Sequence, residues 1–514
     1  MILNPSNTPS RQIFVLPSGR AIKNSISLLG DDAVGFLPRI VTASDFFDNL
    51  LLFSSGKEAD HITKKLLLHQ AYAECDKDSK LGFEKEFLRF LSYSDFLDGF
   101  FSELNGELVE FDSIEFSDTY AEYDEHLMIL RRISERYCEL LGEHDLYDRK
   151  YIHHDSINDL FLSSFEEVHF YIDGYPTNTE LQALRHISGT KAVKLFFYKN
   201  RFTDKLVQKL QRLDLIVPEA NGFYCVNLAS KEVAQIEAEP SLKPVVSAGF
   251  SERVHQAGFV FYMIDQFVSS GISPEEICVV LPDESFAATL RALDKKQNLN
   301  FAMGTPLSST LFFAKLSAAR DVICKNDVEA QQKLTALGFS DPLQEHASLE
   351  SLLEKLLVNE SDEMKQIIKD ELYILNQSRQ RHYFDDKSAL WLFVSSLGSK
   401  ALSHVDGGKV TVIGTLESRS TAFAAVIVVD FNEGKVPKPS DKDLFLNAKI
   451  RSGCGLPSSL DRDDLQYYYY ARIFESAKVS ALSYVKNERE SPSEMLRFIK
   501  QEESSVGDDE AMYV

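Results

Sequence analysis

The chain has 514 residues, 44% of them hydrophobic and 26% charged, with a formal net charge of −23. At ~150 residues per domain, that length predicts three or four units rather than one core. The composition excludes a chain disordered over its bulk, and the acidic excess excludes a surface that clings everywhere to nucleic acid. A local basic groove, or docking on a basic partner, stays compatible with it.

Taken in chain order, residues 12–16 read as a strand and Pro17-Ser18-Gly19 as the surface loop after it. Residues 22–29 begin a helix. From about 42 to 151, apolar residues recur at three- and four-residue spacing, as in Phe87, Phe90, Leu91 and Phe96, then Leu127, Leu130, Ile133, Tyr137 and Leu141. That period predicts helices. Residues 168–172 predict a strand closing on Asp173-Gly174, 181–187 a helix and 193–198 another strand. After the polar, proline-containing stretch 237–244 the texture repeats. Residues 252–269 predict a helix, 277–281 a strand and 286–293 a helix. Residues 311–397 are helical and charged, and strands resume at 409–413, 426–431 and 479–485. The run 422–429 is the longest apolar candidate and reads as a buried strand, far short of the ~20 residues of a membrane helix. Residues 13–16 are too short for a signal-peptide core. The reading is α/β, with two parallel sheets, each interrupted by a helical insertion.

Several residue groups invite a chemical reading. Six scattered cysteines (Cys75, Cys138, Cys225, Cys278, Cys324, Cys454) form no CxxC pair and read as free thiols of a reducing cytoplasm. Lys191, Lys194, Lys199, Arg201 and Lys205 interleave with Phe196, Phe197, Tyr198 and Phe202. Basic residues among stackable rings suit a single nucleic-acid strand, but alternation across a β-strand with the rings in the core explains the same pattern. His153-His154-Asp155 has metal-ligand types, yet adjacent residues point apart. Glu363-Met364-Lys365 has a nuclease-like ExK form in a stretch that reads as a solvated helix face. Tyr467 to Tyr470 would face all round a helix, so at least two should be buried.

A series of short motifs runs through residues 410–488: LESR at 416–419, DFNEG at 430–434 with Pro437 after it, D-x-FLN at 443–447, GLP at 455–457, Asp461-Arg462, YYYAR at 468–472 and SYV-x-NE at 483–488. This ordered series resembles the corresponding segment of AddB, RecB and RecC proteins of bacterial helicase–nuclease complexes. The resemblance implies the superfamily 1 helicase architecture, two RecA-like, P-loop NTPase-type domains each with a helical insert. It places domain 1A at 1–50 plus 155–240, insert 1B at 51–154, domain 2A at 245–315 plus 405–490 and insert 2B at 316–404. Residues 491–514 would begin a linker to a nuclease domain that lies outside this chain. The nuclease metal and iron–sulfur cluster of such relatives would belong there.

The ATPase motifs are eroded. An active relative needs GxxxxGK[ST], in which glycines let backbone N–H groups reach phosphate, the lysine neutralises charge and the hydroxyl holds Mg²⁺. Here Lys23 takes the lysine position, Pro17 and Ile22 stand at the glycines and Asn24 replaces the hydroxyl. Proline has no N–H to offer. Asp173 stands for the metal-binding acid, with Gly174 where its partner acid belongs. The "TxHxxKGLE" type segment is replaced by 412–426, and Ser476 replaces the arginine that meets the γ-phosphate, with Arg472 one helical turn away. Lys23, Asp173 and Arg472 are therefore the nucleotide-binding remnant, with no catalytic residue, metal or resident ATP expected. Lys191, Lys194, Lys199 and Arg201 are candidates for DNA or subunit contact, and Arg419, Asn432, Glu433 and Arg462 of the motif series read either as such a binding face or as a satisfied polar network beside buried strands. The implied role is a cytoplasmic, non-motor, DNA-binding subunit of a double-strand-break resection complex, partnered by an AddA-type helicase–nuclease and scanning for a recombination hotspot. A weakly active DNA-dependent ATPase and a protein scaffold for the motor are the alternatives.

Overall fold

The computed structural model describes residues 10–27, 35–53, 56–114, 121–151, 156–241, 243–339, 349–382, 384–403, 407–440 and 445–502. Two sheets, rich in parallel pairs, organise the chain. The first runs in the order Val233–Ala238, Gly222–Asn227, Ala192–Lys199, Glu167–Ile172, Gln12–Leu16, Arg39–Thr42. Its last four strands are parallel, and the first two form an antiparallel hairpin added at the edge. Strand alternation decides its faces. Ile13, Val15, Val168, Phe170, Ile172, Val193, Leu195 and Phe197 share a core with the Ala43–Leu50, Asn178–Ile187 and Asp204–Gln211 helices.

The second sheet is parallel throughout, in the order Leu299–Phe301, Val410–Gly414, Ile277–Leu281, Ala425–Val428, Val479–Val485, Val245–Phe250, Gln501–Glu502. Every residue of Ile277–Leu281 is buried. Ile277, Val279 and Leu281 serve one core cluster while Cys278 and Val280 serve another. A central parallel strand covered on both faces reads as an unbroken apolar run for this reason.

Helices fill the intervals. His61–Cys75, Phe87–Gly106 and Ala121–Glu143 pack around Tyr72, Phe90, Leu97, Leu130 and Tyr137. Leu311–Lys325, Val328–Ala336, Leu349–Leu356, Asp362–Arg381 and Asp386–Leu397 pack around Leu316, Leu353, Leu375 and Phe393. Short pairings tie the chain at the neck of each group, Leu51–Leu52 with Ser156–Ile157 and Thr305–Pro306 with Ala401–Leu402. Ile62 and Leu91 of the first helical group lie in the core of the second, so the two groups also touch.

The structure corrects several expectations. The loop expected after the first strand is short, because Gly19–Ser27 is helical and carries Lys23. The strand expected at 426–431 stops at Val428, since Asp430 turns the chain in a left-handed conformation, φ 52°. Six described strands of the two sheets were not expected: Arg39–Thr42, Gly222–Asn227, Val233–Ala238, Val245–Phe250, Leu299–Phe301 and Gln501–Glu502. Glu363 and Lys365 sit in the first turn of Asp362–Arg381, where Glu363 accepts the Ser403 N–H at 2.8 Å. His153-His154-Asp155 lie outside the described residues. Among the described residues no helix is long and apolar enough to cross a membrane.

Candidate functional site

The lobes built on the two sheets meet at a pocket of about 110 Å³. The first sheet supplies Tyr171, Phe196, Tyr198 and Phe223, and Asp173 from just beyond the Glu167–Ile172 strand. The second supplies Ser418, Arg419 and Ser420 from the turn after Val410–Gly414, and Tyr468, Tyr469 and Arg472 from the Ser459–Ser476 helix. Ligand crevices of parallel sheets open at such carboxyl ends of strands. The helix is started by a capping box, Ser458 with Asp461. Its four tyrosines point round the axis and three are buried. Tyr470 turns to the second sheet, its hydroxyl 2.8 Å from Thr415 Oγ1, while Tyr468 and Tyr469 join Tyr198 and Phe202 of the first lobe.

Every charge in the pocket has a partner. Asp173 accepts the Ser420 hydroxyl at 2.7 Å, and Ser420 holds a left-handed backbone, φ 51°. Burial, and then the Asp173 carboxylate, push the Tyr468 hydroxyl well above its ordinary pKa. The Arg472 guanidinium lies 3.6 Å from the Tyr198 ring centroid and pairs with Glu475 at 2.7 Å. Burial works against its charge, but Tyr468 and Glu475 keep it protonated above the usual arginine range. Arg419 donates to the Leu416 carbonyl at 3.0 Å and lies 5.6 Å from the Tyr469 ring centroid. Rings, hydroxyls, one carboxylate and two guanidinium groups equip the pocket to hold a planar or anionic group. Among the described residues no cluster of three or more His, Cys, Asp or Glu is arranged to take a metal.

The structure thus brings Asp173, Arg472 and Arg419 together and leaves Lys23 out. Lys23 is exposed on its helix and is not among the pocket-lining residues. The basic, aromatic-rich stretch is spent on contacts within the protein, some in its own lobe and some across to the other. Lys191 donates to the Phe165 carbonyl at 2.7 Å, Lys194 pairs with Glu167, Lys199 donates to the Pro218 carbonyl at 2.7 Å, and Arg201 sits 5.3 Å from the Phe498 ring centroid. Phe197, Tyr198 and Phe202 are buried, and Phe196 stacks on Tyr171 at 4.6 Å. Strand alternation accounts for the buried Val193, Leu195 and Phe197, while Arg201, Phe202 and Lys205 follow the strand's end at Lys199. Asn432, Glu433 and Arg462 act as braces. The buried Asn432 amide donates to the Val485 and Ser491 carbonyls at 2.6 and 2.9 Å and accepts the Val485 N–H at 2.9 Å. Glu433 accepts the Glu494 N–H, and Arg462 donates to the Pro457 carbonyl at 2.9 Å.

One network had no signal in the sequence. Asp430, fully buried, accepts Arg253 Nε at 2.9 Å, Gln256 Nε2 at 3.0 Å and Lys435 Nζ at 3.0 Å, and Arg253 also reaches Asp283 at 2.8 Å. Asp430 lies in the motif series, but Arg253 precedes it by 177 residues, and no spacing rule links positions so far apart. Neither a protein-family model nor a curated protein matches this chain.

Proposed function

We propose that the chain is a helicase-like, non-hydrolysing subunit of a double-strand-break resection complex, comparable in role to AddB or RecC and working on DNA beside an AddA-type motor. In this reading the two sheets are RecA-like domains 1A and 2A and the helical groups are inserts 1B and 2B. The ordered motif series from 410 to 488 supports the kinship. The observation that carries the loss of hydrolysis is the division of the nucleotide remnant. Asp173 and Arg472 face one pocket, Lys23 is exposed outside it, and Arg472 is already occupied by Tyr198 and Glu475. Phosphoryl transfer depends almost wholly on positioned charge, and a lysine outside the pocket supplies none there.

The test is steady-state phosphate release with excess Mg-ATP and single-stranded DNA, with and without an AddA-type partner. The expected rate for the chain alone equals that of buffer and is unchanged in Lys23→Ala. Release that Lys23→Ala abolishes would overturn the reading. Fluorescence anisotropy with a labelled single strand, at low and physiological salt, tests the DNA role. Binding that weakens steeply with salt is expected of a phosphate-contacting groove. The internal engagement of Lys191, Lys194 and Lys199 favours a second reading, a scaffold for the motor. Co-purification with the motor and no strand binding at low salt would select it.

A further inference from the structure

Residues 445–457 belong by sequence to the second lobe but end in the core of the first helical group. The Phe445 ring lies 5.0 Å from that of Phe100. Leu446 and Leu456, 1% and 0% exposed, share a cluster with Phe90, Leu97 and Leu104. Between them the Ala448–Gly453 helix buries Arg451 completely. Its guanidinium donates to Glu103 Oε1 at 2.6 Å and to the Pro457 carbonyl at 3.0 Å.

The first sheet's lobe grips the same place from the other side. Its Asp204–Gln211 helix carries Lys205 and Lys209 one turn apart, both buried. Lys205 Nζ donates to the carbonyls of Gly455 and Leu456 at 3.2 and 3.3 Å. Lys209 Nζ donates to both carboxylate oxygens of Glu107 at 2.6 and 2.5 Å. The Thr179 hydroxyl donates to the Asn105 carbonyl at 3.1 Å, and the Asn178 amide to the Glu107 carbonyl at 2.9 Å. The C-terminal end of the Phe87–Gly106 helix is therefore held by one lobe through Lys209 and Thr179, and by the other through Arg451. Lys205 ties those two grips together.

We propose that residues 445–457 are an inter-lobe strap that fuses both sheets and the first helical group into one rigid body, so the pocket between the lobes keeps a single width whatever occupies it. Parting the lobes by a few ångströms would break at least one of these grips, either Arg451 from Glu103 and Lys205 from the Gly455 and Leu456 carbonyls or Lys209 from Glu107, and so pull buried cations from the partners they hold. It would also bare Phe445, Leu446 and Leu456. Domains that close on a ligand do so across small, polar interfaces and through hinge residues. A ligand moves such an equilibrium only by its difference in affinity for the two states. This junction is buried and charge-paired, so a ligand's preference for one pocket width would have to outweigh the loss of those pairs. Rigidity of this kind holds whether or not the chain binds DNA.

Hydrogen exchange and calorimetry on the full chain test the strap. In the wild type the amides of 446–456 should exchange as slowly as those of Ile277–Leu281, and the chain should melt in one transition. The double variant Leu446→Ala/Leu456→Ala should split that transition and speed exchange across the strap severalfold. If it does not fold, Arg451→Met with Glu103→Leu, which removes both charges of one pair, makes the same comparison. In small-angle scattering the wild-type radius of gyration should not change on adding Mg-ATP or a single-stranded oligonucleotide. Strap amides that exchange like an exposed loop while the strands stay protected would overturn the proposal. So would a single transition in a folded strap variant, or a contraction with either probe.

Discussion

The pair Lys209–Glu107 is an ion pair with both partners out of water, 2% and 7% exposed. Burial pulls the Lys209 ammonium below its ordinary pKa and the Glu107 carboxylate pulls it back. Removing one partner leaves a buried charge alone, which typically costs about 3–5 kcal/mol, whereas replacing both by apolar groups is often neutral. Lys209→Met should therefore lose about that much in urea denaturation, and Lys209→Met/Glu107→Leu should recover most of it. A similar loss in the single and double variants would mean that the packing matters and the charge does not. Asp464 behaves in the opposite sense. Burial, and then the neighbouring Asp461, Asp204 and Asp463, raise its pKa to about 6 from 3.8. A carboxyl whose folded pKa lies above its unfolded value stabilises the fold at low pH and loses that contribution as pH rises through the folded value. Asp464→Asn should melt above the wild type at about pH 7.5, and the gap should close towards about pH 4. A gap independent of pH would remove the like-charge explanation.

Among the elements, the best-read strands were those with unambiguous faces. Gln12–Leu16, Ile277–Leu281 and Val479–Val485 were expected with their observed bounds, the first two as largely apolar runs and the third with Ser480 and Ser483 set among its apolar residues. Val233–Ala238 was missed because an exposed edge strand needs no apolar face, and only Ile236 stands out among Gln and Glu. Val245–Phe250 was missed because Ser247 and Gly249 interrupt its pattern. The motif series was legible as a series, but the work of its members was not. Asn432 read equally as a contact residue or a member of a polar network, and the fold uses it to tie the loop after Ala425–Val428 to Val485 and Ser491. That assignment is testable. Asn432→Ala removes one acceptor and two donated bonds, costing the Val485 N–H and carbonyl this partner while the Ser491 carbonyl keeps the Glu433 N–H at 3.0 Å, at about 1–3 kcal/mol for each group left unpaired away from water. Asn432→Asp should be worse still, because a carboxylate there faces two carbonyl oxygens it cannot donate to. Thermal melts of the two variants decide it. Asp no worse than Ala would show that solvent enters and that the bonds are not buried as the structure has them.

Across the whole molecule, charge and architecture pull in opposite directions. The expectation of an α/β molecule with two sheets holds because strand and helix periods are local properties. The resemblance had grouped Asp173 with Arg472, but the contacts that join the lobes were illegible because each links positions hundreds of residues apart, as Asp173 meets Ser420 and Glu103 meets Arg451. No local pattern encodes such a meeting. The net charge of −23 is a global property with its own consequence. Like charges spread over a compact surface repel, and salt weakens that repulsion as the Debye length shrinks from about 30 Å at 0.01 M to about 8 Å at 0.15 M. Buried pairs such as Lys209–Glu107 are barely screened, and exposed ones such as Arg136 with Glu74, Glu139 and Glu143 contribute little to begin with. The melting temperature should accordingly rise over that salt range, while any affinity for a single strand falls over the same range. Opposite slopes in the two measurements would identify long-range repulsion in the fold and phosphate contacts in the complex as separate electrostatic effects of one acidic chain. A melting temperature that falls with salt would mean instead that the surface ion pairs outweigh the repulsion.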